Sequence, residues 1–148
     1  MTITKNPMAK QTSGSLHLTK KVDYGLLLLA TLSKKKKGEQ ISLNEIAKEN
    51  SIPHSFLQKI ANQLQKDGMI KTERGKYGGS SLAKPANKIT IKAVIESLDG
   101  PIAITPCSCA NCAPCKRAKI CEIKAGLQKF NEEIKKFFLS KTLDKFIS

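Results

Sequence analysis

Apolar residues fall at helical spacing over most of this chain, with one short stretch of strand-like pattern in the middle. From Thr19 to Ser33, the positions Val22, Leu26, Leu29, Ala30 and Leu32, with Leu27 and Leu28 between them, predict a helix buried over most of its circumference. Thr19 is its expected N-cap, and Asp23 lies one turn inside, where a carboxylate complements the helix dipole. Lys34 to Lys37, followed by Gly38, end it. Ser42 to Glu45 form a capping box that opens a short helix with Leu43, Ile46 and Ala47 inward. Asn50 to Pro53 break that helix. A second box, Ser55 to Gln58, opens another running to about Asp67, with Phe56, Leu57, Ile60 and Leu64 inward and Gly68 as its stop.

The pattern then shortens. Met69 to Thr72 and Ser81 to Ala83 read as strands around a glycine-rich basic turn, Glu73 to Gly79, and a hairpin directly after a second capped helix is a wing. Thr90 caps a further helix, Ile91 to Leu98, that Asp99-Gly-Pro101 stops. Beyond Glu122, Ile123, Leu127, Phe130, Ile134 and Phe137 recur at alternating spacings of four and three, the seam of a long amphipathic helix. Such a stripe suits a dimer; packing back on its own domain is the alternative. The expected fold is therefore mainly α with a small β-wing. It comprises a disordered tail over 1–15, a winged helix-turn-helix domain over 16–100, a cysteine-rich loop over 101–122, and a dimerisation helix with C-terminal tail over 123–148.

Charge sharpens the choice of partner. The formal net charge of +14, from 26 basic and 12 acidic residues, points to a polyanion, with nucleic acid ahead of an anionic membrane. Val22 to Leu32 is the longest apolar run and is too short to span a bilayer, and the first ten residues lack the apolar segment of a signal peptide, so a cytoplasmic, reduced protein is expected. On the second helix of the pair, Gln58, Lys59, Asn62, Gln63 and Lys66 form an outer face that can read bases and phosphates. Arg74 and Lys76 are placed on the wing. Gly75, Gly78 and Gly79 permit positive φ and close approach to a phosphate, or else a tight turn with no ligand. Lys34 to Lys37 read most plainly as a solvated loop, with a phosphate role as the alternative.

All five cysteines lie between Cys107 and Cys121, beside Lys116, Arg117 and Lys119. Clustered thiols among cations favour thiolates, which soft metals and iron–sulfur clusters bind, and an odd count argues against a disulfide framework. Zinc held by four of the five is the rival, a metal-free nucleic-acid binder another, an electron carrier a third. No nucleophile–base pair or phosphate loop is present, and the histidines are His17 and His54, so an enzyme with a small-molecule substrate is not expected.

Leu18-Thr-Lys20, Asp23-Tyr-Gly25, the paired helices, Arg74-Gly75, Gly78-Gly79, Leu82-Ala-Lys-Pro85 and Asp99-Gly-Pro-Ile-Ala-Ile-Thr-Pro-Cys107 together resemble the IscR/NsrR (Rrf-two) family of bacterial winged-helix regulators, over Leu16 to about Phe146. The run from Gly100 to Ser108 is most similar to the branch that regulates SUF iron–sulfur assembly genes. The resemblance implies a homodimeric repressor on a palindromic double-stranded operator, with an iron–sulfur cluster, two-iron or four-iron, that senses iron–sulfur status, oxygen or nitric oxide. It implies three cysteine ligands and a fourth that is not cysteine. Cys107, Cys115 and Cys121 fit the spacing of the nitric-oxide sensor and SUF branches; Cys109, Cys115 and Cys121 fit that of the IscR branch, and Cys109 and Cys112 stand as alternates. Lys124 occupies the place of the IscR-branch histidine, whereas Asp23 matches the acidic ligand of the nitric-oxide sensors, there taken from the partner subunit. The DNA-contacting set is expected to be Thr19, Lys20, Ser42, Ser55, Gln58, Lys59, Asn62, Arg74, Lys76, Tyr77 and Gly78. Ser80 departs from the aromatic common in the family after the paired glycines, with Tyr77 as its substitute.

Overall fold

The computed structural model describes residues 17–109 and 114–147; the expected tail over 1–15 lies outside them. Helix α1 (Lys20–Ser33) starts where predicted, because Thr19 Oγ1 accepts from Val22 N–H at 3.3 Å. It buries Val22, Gly25, Leu26, Leu28, Leu29 and Leu32 and forms the central post of the core. In α2 (Leu43–Glu49) both arms of the capping box are made: Glu45 N–H donates to Ser42 Oγ, and Ser42 N–H to the Glu45 carboxylate, each at 3.2 Å.

Helix α3 (His54–Lys66) corrects the second capping box. Its N-cap is Pro53, with no side-chain hydrogen bond, and Ser55 sits inside the first turn. The fixed φ of Pro53 directs the chain into the helix before Ser55 can cap it, and the Pro53 carbonyl already accepts from Phe56 and Leu57 at 3.1 and 3.0 Å. Gly68, at φ +72°, closes the helix as predicted. Strands β1 (Ile70–Glu73) and β2 (Gly79–Leu82) pair antiparallel with Ile70 opposite Leu82, and an isolated bridge joins Ile41 to Ser80 of β2. Of the wing glycines, Gly75 has a positive φ. Gly78 and Gly79 instead lie so close to the Glu73 carbonyl and the Ile41 backbone that a Cβ at either would collide. Close packing of the chain on itself is why those two are glycine.

Helix α4 (Ile91–Asp99), capped by Thr90, crosses α1 at Gly25, where an added Cβ would strike Leu98. The crossing is pinned by Thr19 Oγ1 donating to the Asp99 carboxylate at 2.7 Å and Lys21 Nζ donating to the Leu98 carbonyl at 2.5 Å. Ser97 reaches across to Asp67 at the end of α3; its hydroxyl, and then the Gln63 amide, hold the Asp67 carboxyl below its ordinary value. Helix α5 (Lys124–Ser140) is followed by α6 (Leu143–Phe146), a short return absent from the sequence reading. Hydrogen bonds of 2.8 Å from Ile91 N–H to the Lys141 carbonyl and from Leu143 N–H to the Ile89 carbonyl carry Leu143 into the main core, where it is fully buried. Among the described residues no helix is long and apolar enough to cross a membrane.

Candidate DNA interface and cysteine loop

The amphipathic face of α3 separates its residues cleanly. Leu57, Ile60, Ala61 and Leu64 enter the core, while Lys59, Asn62 and Lys66 are exposed and Gln58 is half-buried. Gln58 donates its amide to Asn62 at 3.0 Å, so the two form one prearranged polar pair on the outer face. The wing projects beyond the end of α3. Arg74, Lys76 and Tyr77 are exposed at its tip, with Lys76 Nζ 5.8 Å from the centre of the Tyr77 ring. Tyr77 is 87% exposed and Ser80 is buried, bonded at 3.3 Å to Thr72, so Tyr77 does not take the place beside the core that Ser80 holds. Lys20 rests over Tyr24 at the start of α1. The hydroxyls of Thr19 and Ser42 are both engaged in helix caps, while Ser55 is exposed in the first turn of α3.

The cysteine loop leaves α4 at Gly100 and runs back along α5. One residue fastens it. Asn131, 1% exposed in the middle of α5, accepts from Ile104 N–H at 2.9 Å and donates to the Ile102 carbonyl at 3.3 Å. The periodic reading of α5 named its apolar seam and passed over this residue, although Asn131 falls four residues after Leu127 and three before Ile134. Just beyond the latch, Cys107 is half-buried in a short turn, its sulfur 3.0 Å from Thr105 Oγ1. It shares with Cys109, Gln128, Asn131 and Glu132 a hollow of about 310 Å³. Cys115 is exposed, and Cys121 is half-buried at the entry to α5, where its carbonyl accepts from Lys124 N–H at 3.4 Å.

The described cysteines differ in pairing. Cys107, Cys115 and Cys121 are free thiols, whereas Cys109 is disulfide-bonded. A sulfur in a disulfide is not a thiolate ligand. Cys112 lies outside the described residues. As a donor set, three free thiols suit a soft metal or an iron–sulfur cluster, but among the described residues no three of Cys, His, Asp and Glu converge to metal-binding distance. Asp23 is exposed on the first turn of α1 and joins no such group among the described residues.

A buried helix pair with a polar, basic reading face, followed by a basic wing, defines a DNA-binding transcriptional regulator of the winged-helix class. The family model of Rrf2, described as an iron-dependent transcriptional regulator, matches residues 18–148, and the chain belongs to this family. It is a regulator and not an enzyme. Its structure is similar to that of CymR (YrzC), the global cysteine regulator of B. subtilis, at 27% identity and a TM-score of 0.70, covering 88% of this chain and 95% of that one. Staphylococcus aureus CymR in its oxidized form matches at 25% identity and a TM-score of 0.70, covering 88% and 95%. IscR of T. potens shares the fold at 23% identity and a TM-score of 0.67, covering 89% and 86%.

Proposed function

We propose that this chain is a homodimeric repressor whose affinity for a palindromic operator is set by an iron–sulfur cluster on Cys107, Cys115 and Cys121, with Asp23 of the second copy as the fourth ligand. The observation that carries this reading is that, among the described residues, Cys107, Cys115 and Cys121 are free, the set whose spacing resembles the SUF and nitric-oxide branches, while Cys109, which the other spacing requires, is disulfide-bonded. A bound cluster supplies redox chemistry and sensitivity to oxygen, nitric oxide and iron supply. The chain's own residues supply the coupling. Cys107 lies against the middle of α5 and Cys121 at its first turn, so gathering the two thiols together shifts the start of that helix against its Asn131 latch. In a dimer joined through α5, such a shift changes the separation of the two α3 helices, which must meet half-sites about 34 Å apart. Iron–sulfur assembly genes are the targets this reading favours.

The disulfide at Cys109 supports a second reading, a metal-free regulator that responds through thiol oxidation. Substitutions separate the two. Under the cluster reading, Asp23→Ala releases its cluster at least about tenfold faster than wild type, since losing even an outer partner of a metal site costs that much. Binding of the apo-protein to DNA is unchanged, and Cys109→Ser retains full iron and sulfide. Iron, acid-labile sulfide and operator affinity measured without oxygen check this. Unaltered cluster retention in Asp23→Ala would reduce Asp23 to a helix-end residue, and loss of regulation in Cys109→Ser alone would favour the thiol switch.

A further inference from the structure

The lysine run after α1 lies outside the candidate DNA interface of α3 and the wing tip, and three of its members do more than face solvent. Lys35, Lys36 and Lys37, joined by Lys71 and Lys84, rim a hollow of about 650 Å³ between the α1–α2 connection and the outer face of the wing. Its carboxylates, Glu39 and Glu73, are outnumbered by these five lysines, and Glu39 already accepts from the Lys36 backbone N–H at 3.1 Å. Among the described residues, none of the five lysines forms an ion pair. Crowded cations repel one another, and an anion held in the hollow relieves that repulsion.

We propose that this hollow is a binding site for a small organic phosphate, of nucleotide size, separate from the operator site. Its volume lies within the range of about 300–1,000 Å³ usual for small-ligand sites, and Leu32, Leu82, Pro85 and Ala86 give the lining an apolar part for an organic body. Operator DNA is the poorer occupant, since no residue of α2, of α3 or of the wing tip over 74–78 lines the hollow. The placement also gives binding a consequence. Ile41 and Ser80 exchange backbone hydrogen bonds of 3.3 and 2.8 Å, and they are the chain neighbours of Gln40 and Ser81. An anion held in this hollow therefore sits against the root of the wing.

Calorimetric titration of the full chain with ADP tests the proposal. Wild type should bind, and Lys71→Ala/Lys84→Ala should weaken binding by about tenfold or more, as expected for losing charge-assisted contacts. Lys59→Ala/Lys66→Ala on α3 should leave it unchanged, with circular dichroism verifying each fold. Absence of ADP binding at millimolar concentration overturns the site. So does equal weakening by the α3 pair, which places the anion on the DNA face, or a Lys71/Lys84 variant that loses operator affinity while keeping ADP.

Discussion

Replacing Phe130 and Phe137 together with glutamate should yield a folded monomer that binds the operator at least about a thousandfold more weakly than wild type, the low end of the gap between specific and non-specific DNA binding. Helix α5 has two faces. Leu127, Asn131, Ile134 and Phe138 turn inward, while Ile123, Phe130 and Phe137, spaced by seven, are 66%, 54% and 58% exposed. In the dimer proposed above, these three large apolar side chains in a heptad stripe are the seam for a second helix. Two carboxylates on that seam bring like charges together across the dimer axis, and a monomer meets only one half-site. Since neither phenylalanine belongs to the main core, melting behaviour should remain cooperative. Light scattering on a sizing column and fluorescence anisotropy with operator DNA check both parts. A variant that stays dimeric removes α5 as the interface.

Asn131→Leu should destabilise the protein by about 2 kcal/mol or more and expose Cys107 to thiol reagents. Leucine fits the helix and the apolar surroundings, but it leaves Ile104 N–H and the Ile102 carbonyl without their partner, at about 1–3 kcal/mol for each group that stays buried. Burial of the new side chain offsets only part of this. The loop is then no longer fixed to α5, and Cys107 two residues beyond Thr105 loses its sheltered turn. Asn131→Asp separates packing from hydrogen bonding. It keeps the acceptor for Ile104, cannot donate to Ile102 when ionised, and places a charge in a buried site, so it should be at least as destabilised. Urea unfolding and mass-resolved alkylation of Cys107 measure the two effects; alkylation at the wild-type rate in both variants would show that Asn131 does not hold the loop.

The elements legible in advance were those encoded by local pattern. Thr19, Ser42 and Thr90 cap their helices through side-chain hydrogen bonds to nearby backbone groups, a relation that needs only a few residues of sequence. Ser55 had the same pattern and failed, because the backbone of Pro53 governs the entry into α3. What escaped was long-range. Leu143 is one apolar residue in a polar stretch, too short for periodicity, and reaches the core through backbone pairing with Ile89, far away in the chain. Asn131 resembles a surface residue by type and is buried because the loop brings two backbone groups to it. Gly78 and Gly79 read in sequence as positive-φ or turn glycines, whereas close contact with the Glu73 and Ile41 backbone is what requires them. For the cysteines, spacing leaves two sets open. Asp23 is exposed, as a residue offered to a second copy must be, and a single chain carries no further sign of that use.

The most direct test of regulation through the cysteine loop is operator affinity measured on one oxygen-free preparation before and after its cluster is removed, alongside its visible absorption spectrum. The expected result is a coloured protein with iron and sulfide bound, whose operator affinity changes by about tenfold or more on bleaching, the range of allosteric couplings. A colourless protein carrying stoichiometric zinc, or a coloured one whose operator affinity is the same after cluster loss, would contradict it.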